Sequence, residues 1–293
     1  MRKILITGSK GQLGRDCLDV FKDIFRVYGV DLPEVDLSSR EACFVFLDAK
    51  KPDVIVNCAA YTAVDACETD PSCWKANRDL PGHLSEWTEK NGAFLVHIST
   101  DYVFSGDKPF FQSLEEDDLP NPLSEYGRSK LAGERIIAEH TERFSILRTA
   151  WLYGAHGNNF LKTMLRLTLQ NPGKEFKVVN DQFGSPTWSY SLALQIRSVV
   201  EMNARGLFHA TSEGYCSWYD FACAFLDEMK IEHAFVPCST EEFSTPTQRP
   251  ANSILENSRA NQLGINIFSD WREELGEFVK QYKEPLKKEA KGL

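Results

Sequence analysis

The sequence predicts an α/β protein built on a doubly wound parallel sheet, with a smaller, interleaved α+β lobe. Three observations carry that expectation. Strand and helix signals alternate through the first half, as repeated βαβ units require. Gly8, Gly11 and Gly14, spaced GxxGxxG, stand between the first strand signal and the first helix signal. An acidic residue, Asp31, follows the second strand about 20 positions further on, the spacing of a dinucleotide-binding turn.

The elements follow in order. KILIT (Lys3 to Thr7) reads as a strand, and the glycines after it lead into a helical stretch to about Asp23. RVYGV (Arg26 to Val30) is the second strand. Ser38, with Glu41 three residues later, predicts a capping box that opens a helix ending near Lys51–Pro52. DVIVNC (Asp53 to Cys58) is a continuous apolar run, as a strand covered on both faces requires. Asp70 followed by Pro71 predicts an N-cap with proline in the first helical position, and Asn91–Gly92 the stop of that helix. AFLVHIS (Ala93 to Ser99) is the next strand, Glu125 to His140 a helix and FSILR (Phe144 to Arg148) a strand. The second half is less regular: helices are predicted over Asn158–Gln170, Tyr190–Asn203 and Trp218–Met229, a strand over GLFHAT (Gly206–Thr211), and a last helix capped by Asp270 and Glu273. The expected organisation is a dinucleotide-binding domain over 1–150, with 189–211 returning to it, and a substrate lobe from 151–188 and 212–293.

Composition narrows the function classes. The chain has 293 residues, and 33 basic against 42 acidic side chains give a net charge of −9. Such a chain is not a generally basic nucleic-acid binder, since those domains usually sit above roughly pI 9. No apolar run approaches the roughly 18 residues of a membrane helix, and MRKILITG runs straight into the glycine turn without a signal-peptide pattern. A cytoplasmic protein is expected. Eight cysteines form no CxxC pair and six histidines no HxxxH pair, so neither a zinc site nor a nucleophilic triad is expected, and the thiols are expected to be reduced and structural.

Two ends of the predicted sheet carry chemistry. At one, glycines let main-chain N–H groups approach a pyrophosphate at a helix N-terminus, where the dipole favours anions. Gly8, Gly11, Gln12 and Leu13 form that turn. Asp31 would accept bonds from ribose hydroxyls and repel a 2′-phosphate, whereas Lys10 and Arg15 would tolerate one; NADH or NADPH is expected, with NADH favoured. Asp36, Leu37, Ala59, Ala60 and Tyr61 follow strands two and three, where ligands sit in doubly wound sheets. At the other, Tyr126 and Lys130 lie four apart at the start of a helix, on one face. A neighbouring ammonium favours the phenolate, lowering the tyrosine into the range of neutral-pH proton transfer. The preceding strand delivers Thr100 or Ser99 to its carboxyl edge; alternation lets only one of them reach the site.

Taken in order, GSKGQLG, NCAAYTAVD, STDYVF, YGRSKLAGE, LRTAWLYG, NNFLKTML, DQFGSPT and RPANS resemble dTDP-4-dehydrorhamnose reductase, of the extended short-chain dehydrogenase/reductase group, from about Lys3 to Arg272. The resemblance implies a Rossmann-like domain and the NAD(P)H-dependent reduction of the C4 ketone of a dTDP-4-keto-6-deoxy sugar. It implies Tyr126 as proton donor, Thr100 as the hydroxyl polarising the carbonyl, and Lys130 as the residue that holds the nicotinamide ribose and tunes the tyrosine. It places Thr62 and Val64 near the cofactor and sugar, Tyr102 beside the polarising hydroxyl and Trp151 at the wall of the sugar pocket; it matches Asn158–Asn159–Phe160 and Arg249 to substrate-lobe positions, with Asn159 a substrate-binding candidate and Arg249 a candidate partner of the diphosphate. The chain departs from the family at Ala66–Cys67, where a basic residue is common. Some relatives bridge two subunits with a metal; Asp16 stands where such a carboxylate could sit, but Trp188 to Ser191 offers it no acidic partner, so no metal is expected. A nucleotide-sugar substrate is the expected partner, and a homodimer is a possible assembly. The competing expectations are a regulatory subunit like the methionine adenosyltransferase β subunit, and a nucleotide-sugar epimerase.

Overall fold

The computed structural model describes residues 1–243 and 245–292. Five short apolar segments form the heart of the fold: β1 (Lys3–Thr7), β2 (Arg26–Val30), β3 (Val54–Asn57), β4 (Phe94–Thr100) and β5 (Phe144–Thr149). With the strand Gly206–His209 they make a six-stranded sheet in the order Gly206–His209, β5, β4, β3, β1, β2. Every pairing is parallel. The chain steps from β1 outward to β2 and then returns to the far side in β3, so winding reverses between β1 and β3. Ligands of open α/β sheets bind beyond the carboxyl ends of the strands at such a point.

Strand alternation assigns each side chain to one of two cores. Ile4, Ile6, Val54, Val56, Phe94, Val96 and Leu147 face α1 (Gln12–Phe21) and the helix Ser189–Met202. Leu5, Ile55, Leu95 and Ile146 face α2 (Arg40–Lys50) and the helices Leu80–Asn91 and Glu125–His140. Helices on both faces of a parallel sheet are the doubly wound arrangement that the sequence predicts.

Some boundaries differ, each for a local reason. α2 is flanked by Ser39 rather than Ser38: the Ser38 hydroxyl and N–H both donate to Asp36 Oδ1, at 2.6 and 3.0 Å, so no capping box forms. The helix expected from Pro71 to Asn91 contains a wide turn. α-Helix at Ser72–Trp74 passes into a π-helical stretch at Lys75–Asp79 before Leu80–Asn91. Within that stretch, buried Asn77 donates to Ser129 Oγ (3.1 Å) and Tyr61 O (3.0 Å) and accepts from Tyr61 N (2.9 Å). Gly133 allows the contact with Glu125–His140, because a Cβ there would lie 2.2 Å from Asn77 O.

The smaller lobe is built on the helices Phe160–Gln170, Trp218–Glu228 and Trp271–Ala290, around Tyr153, Leu161, Leu165, Phe221, Phe225, Trp271 and Phe278. Short strand pairs close it: Glu175–Val179 with Ala234–Cys238, and Phe183–Gly184 between Cys216–Ser217 and Asn252–Ser253. Among the described residues, no helix is long and apolar enough to cross a membrane.

Candidate active site

The glycine turn packs directly on the end of β3. Gly8 has φ +62°, and a Cβ there would lie 2.7 Å from Ala59 N; a Cβ on Gly14 would lie 2.1 Å from Gly8 O. Only glycine fits this close approach of backbones. α1 starts at Gln12 behind Gly11 with no side-chain cap and no acid in its first turn, so its leading N–H groups face an open groove. That is the donor set a pyrophosphate requires, and the turn fits a dinucleotide.

Two cavities flank the turn and meet at Gly8, Gly11, Cys58 and Ala60. The one over β2, about 450 Å³, is lined by Asp31, Asp36, Leu37, Ala59, Ala60 and Tyr61. The other, about 440 Å³, is lined by Gln12, Leu13, Thr62, Val64, Thr100, Tyr102, Tyr126, Lys130 and Trp151. The Asp31 carboxylate accepts from Lys10 N and Leu32 N, both at 2.8 Å, and so braces the turn. The Lys10 ammonium pairs with Glu34 at 2.8 Å.

At the other cavity, Ser124 caps the helix Glu125–His140 by accepting from Gly127 N at 3.1 Å, which places Tyr126 in the first turn and Lys130 one turn on. Thr100, at the end of β4, is the strand hydroxyl on the Tyr126 side. It donates to Asp101 Oδ1 (3.0 Å) and accepts from Tyr102 N (3.3 Å). Ser99 also borders the cavity, but its hydroxyl is taken up by Glu134 Oε1, to which it donates at 2.5 Å. Tyr102 meets Tyr126 edge-on, 5.5 Å between ring centres.

Burial sets the titration of this site. It pushes the Tyr126 phenol well above its ordinary range, with the Thr100 side chain opposing the rise. The expectation that the Lys130 ammonium lowers Tyr126 is therefore corrected. The phenol lies among Cys67, Cys73, Tyr61, Val64 and Tyr102, and the Lys130 nitrogen is engaged elsewhere, with Ile98 O at 2.6 Å and His97 Nε2 at 3.4 Å. Burial lowers Lys130 to about 8 against the pull of Glu134. It raises Asp101 to about 6 against hydrogen bonds from Ser253 and Thr100. At neutral pH the site thus holds a protonated phenol and a largely protonated lysine.

The remaining candidates divide. Trp151 walls the cavity, with φ +47°, stacked at 3.5 Å on Trp218. Arg249 lies in the adjoining cavity of about 330 Å³ with Phe160, Met164, Lys177, Trp218 and Phe243. Its Nη1 donates to Tyr102 Oη at 2.9 Å and its Nη2 lies 3.3 Å from Asp65, so it stands where the two cavities adjoin. Asn159 caps the helix Phe160–Gln170 through Lys162 N (3.1 Å) and donates to Gln12 Oε1 and Gly154 O, both at 2.8 Å. Its polar atoms tie the lobe to the glycine turn, and its neighbour Asn158 lines the cavity instead. Sequence reasoning missed Trp218, Lys177, Asp101 and His97. Asp101 was legible as the acid directly after Thr100; the other three come to the site through the tertiary fold. Asp16 accepts from the Ser189 hydroxyl, and the described residues contain no cluster of three potential metal ligands.

A dinucleotide turn facing a threonine, a tyrosine and a lysine four residues after it defines a reductase of the extended short-chain dehydrogenase/reductase kind. The chain belongs to the dTDP-4-dehydrorhamnose reductase family. The family model described as RmlD substrate binding domain matches residues 1–284. A dTDP-4-dehydrorhamnose reductase of Aggregatibacter actinomycetemcomitans is 38% identical, over 94% of this chain and 97% of that protein. The crystal structure of a dTDP-4-dehydrorhamnose reductase from Clostridium acetobutylicum superposes with a TM-score of 0.92 at 41% identity, covering 96% of this chain and 99% of the other. That of the Bacillus anthracis enzyme in complex with NADP gives 0.92 at 34% identity, over 96% and 99%.

Proposed function

We propose that this protein reduces the C4 ketone of a dTDP-4-keto-6-deoxy sugar, converting dTDP-4-dehydro-L-rhamnose to dTDP-L-rhamnose with NADH or NADPH. The observation that carries the reading is the convergence of Thr100, Tyr126 and Lys130 on one cavity shared with the glycine turn. When bound, the reduced nicotinamide supplies the hydride. Tyr126 supplies the proton: its buried phenol is held in the acid form, so it can donate to the oxygen as negative charge develops there. Thr100 and Tyr102 position that oxygen, and Lys130 keeps a positive charge beside the site. The Trp151–Trp218 stack walls off the sugar. The neighbouring cavity, apolar at Phe160, Trp218 and Phe243 and cationic at Lys177 and Arg249, takes the nucleotide and its diphosphate. Asp31 favours a free 2′-hydroxyl, whereas Lys10 can leave Glu34 to meet a 2′-phosphate, so both cofactors are admitted. The test is oxidation of NADH and NADPH in the presence of the keto sugar nucleotide, followed at the nicotinamide absorbance. Turnover no faster than that of Tyr126→Phe would refute the assignment.

A further inference from the structure

A lane of polar side chains crosses the centre of the otherwise apolar sheet. Strand register sets Thr7 of β1 beside Asn57 of β3, and Asn57 beside His97 of β4. Thr7 is 1% exposed, Asn57 and His97 0%, and Lys130, which meets the end of the lane, 1%. Buried polar groups in an apolar layer are costly unless paired, and here each pairs with the next.

The donors fix the direction of the lane. Ala59 N donates to Thr7 Oγ1 at 3.3 Å, and the Thr7 hydroxyl finds its acceptor in Asn57 Oδ1 at 2.6 Å. The Asn57 carboxamide therefore turns Nδ2 toward His97 Nδ1, 2.9 Å away, and donates to it. Burial keeps His97 neutral, with its pKa far below the ordinary value. A neutral imidazole that accepts at Nδ1 carries its hydrogen on Nε2. That N–H faces Lys130 Nζ at 3.4 Å, while Nζ itself donates to Ile98 O at 2.6 Å. An ammonium has no lone pair with which to receive a hydrogen bond; an amine has one. The lane is thus the partner of the amine. The other titratable groups facing Lys130 are Glu134 on its own helix, Cys73 near the start of the π-helical stretch and Cys58 after β3, and all three favour the ammonium.

We propose that His97 is a positioning residue that stabilises the amine form of Lys130 by aiming its Nε2–H at Nζ, and so limits the alkaline range over which this lysine keeps its charge in the Tyr126 cavity. The inference rests on the reductase reading.

The experiment uses the whole protein and two substitutions, His97→Gln, whose amide can still offer an N–H, and His97→Leu, which cannot. Long-range ¹H–¹⁵N spectra of histidine-labelled protein are expected to show His97 protonated on Nε2. The ¹³Cε titration of Lys130, assigned by its loss in Lys130→Arg, is expected to move up by about one pH unit in His97→Leu, the worth of one hydrogen bond. It should move by less than half as much in His97→Gln, and the alkaline limb of kcat should follow. Thr7→Val, which removes the hydroxyl that orients Asn57, should move the titration the same way, and it replaces His97→Leu should that variant not fold. A proton on Nδ1, an unmoved Lys130 titration, or equal shifts in the Leu and Gln variants would each overturn the proposal. Absence of turnover with every keto sugar nucleotide would sink the reductase reading alone, because the two spectroscopic arms need neither substrate nor cofactor.

Discussion

The firmest energetic consequence concerns an ion pair beneath the site. Arg148, on β5, donates to Glu134 through Nε (3.0 Å) and Nη2 (2.7 Å), and Ser99 adds a third bond to the same carboxylate at 2.5 Å. The two side chains are 3% and 6% exposed, and the guanidinium lies 5.0 Å from the Phe104 ring centre. Replacing Arg148 with methionine leaves the carboxylate buried with the Ser99 hydroxyl in place of its counter-charge. Breaking a buried pair from one side costs about 3–5 kcal/mol. At roughly 2 °C per kcal/mol for a chain of this size, the melting temperature should fall by about 6–10 °C. Replacing all three groups together, as Ser99→Ala/Glu134→Leu/Arg148→Met, leaves no buried charge and should recover most of the loss, because apolar substitutes of similar volume are often neutral. The assay is urea and thermal unfolding of parent, single and triple variants. A single variant within about 1 kcal/mol of the parent, or a triple variant no more stable than the single, would refute the reasoning.

Other outcomes follow from the same geometry. Tyr126→Phe should lower turnover by about 10²–10⁴-fold while leaving NADH binding, read by fluorescence titration, intact. Asp31→Ala should raise the relative use of NADPH, and an unchanged NADH-to-NADPH ratio of kcat/KM would count against the ribose contact. Because Lys130 is lowered to about 8, reduction should weaken as pH rises through about 8; a rate flat across that range would separate Lys130 from the chemistry. Asp101 has a folded pKa of about 6 against an ordinary 3.8, so the folded state binds more protons between those values. Stability is then lost as pH rises through about 6, and the melting-temperature gap between Asp101→Asn and the parent should widen in favour of the variant from about pH 5 to pH 8.

Much of the fold was written locally. The apolar strands and the glycines at 8, 11 and 14 signal their structure within a few residues, and helix Glu125–His140 runs as the sequence predicts. That Tyr126, Lys130 and Thr100 share one cavity was legible from their spacing and chain order. What stayed hidden depends on contacts far apart in sequence. Asn159 was matched to the substrate lobe, but the sequence could not show that it holds Gln12, 147 residues away. Trp218 joins the site only by stacking on Trp151. His97 sits in FLVHIST like a core residue, and its part emerges only when register puts Asn57 beside it and Lys130 reaches it from another element. The expected lowering of Tyr126 failed for a related reason: spacing shows that a lysine is near, whereas the desolvation that overrides it comes from residues on other segments.

The count of available hydrogens decides which group acts as the acid. A ketone oxygen gaining a hydride needs one proton and profits from a second donor. Thr100 has one hydroxyl hydrogen, and it lies on Asp101 Oδ1 while that carboxylate is ionised. Tyr126 keeps its hydrogen because burial disfavours the phenolate. Lys130 spends a donor on Ile98 O and lies 3.4 Å from His97 Nε2. On the proposed reading, the proton therefore comes from Tyr126. Thr100 can turn its hydrogen to the substrate at least cost when Asp101 is itself protonated, below about pH 6. Above that value Thr100 is held by Asp101 and Tyr102 N, and on the proposed reading it positions the substrate oxygen while Tyr126 supplies the proton.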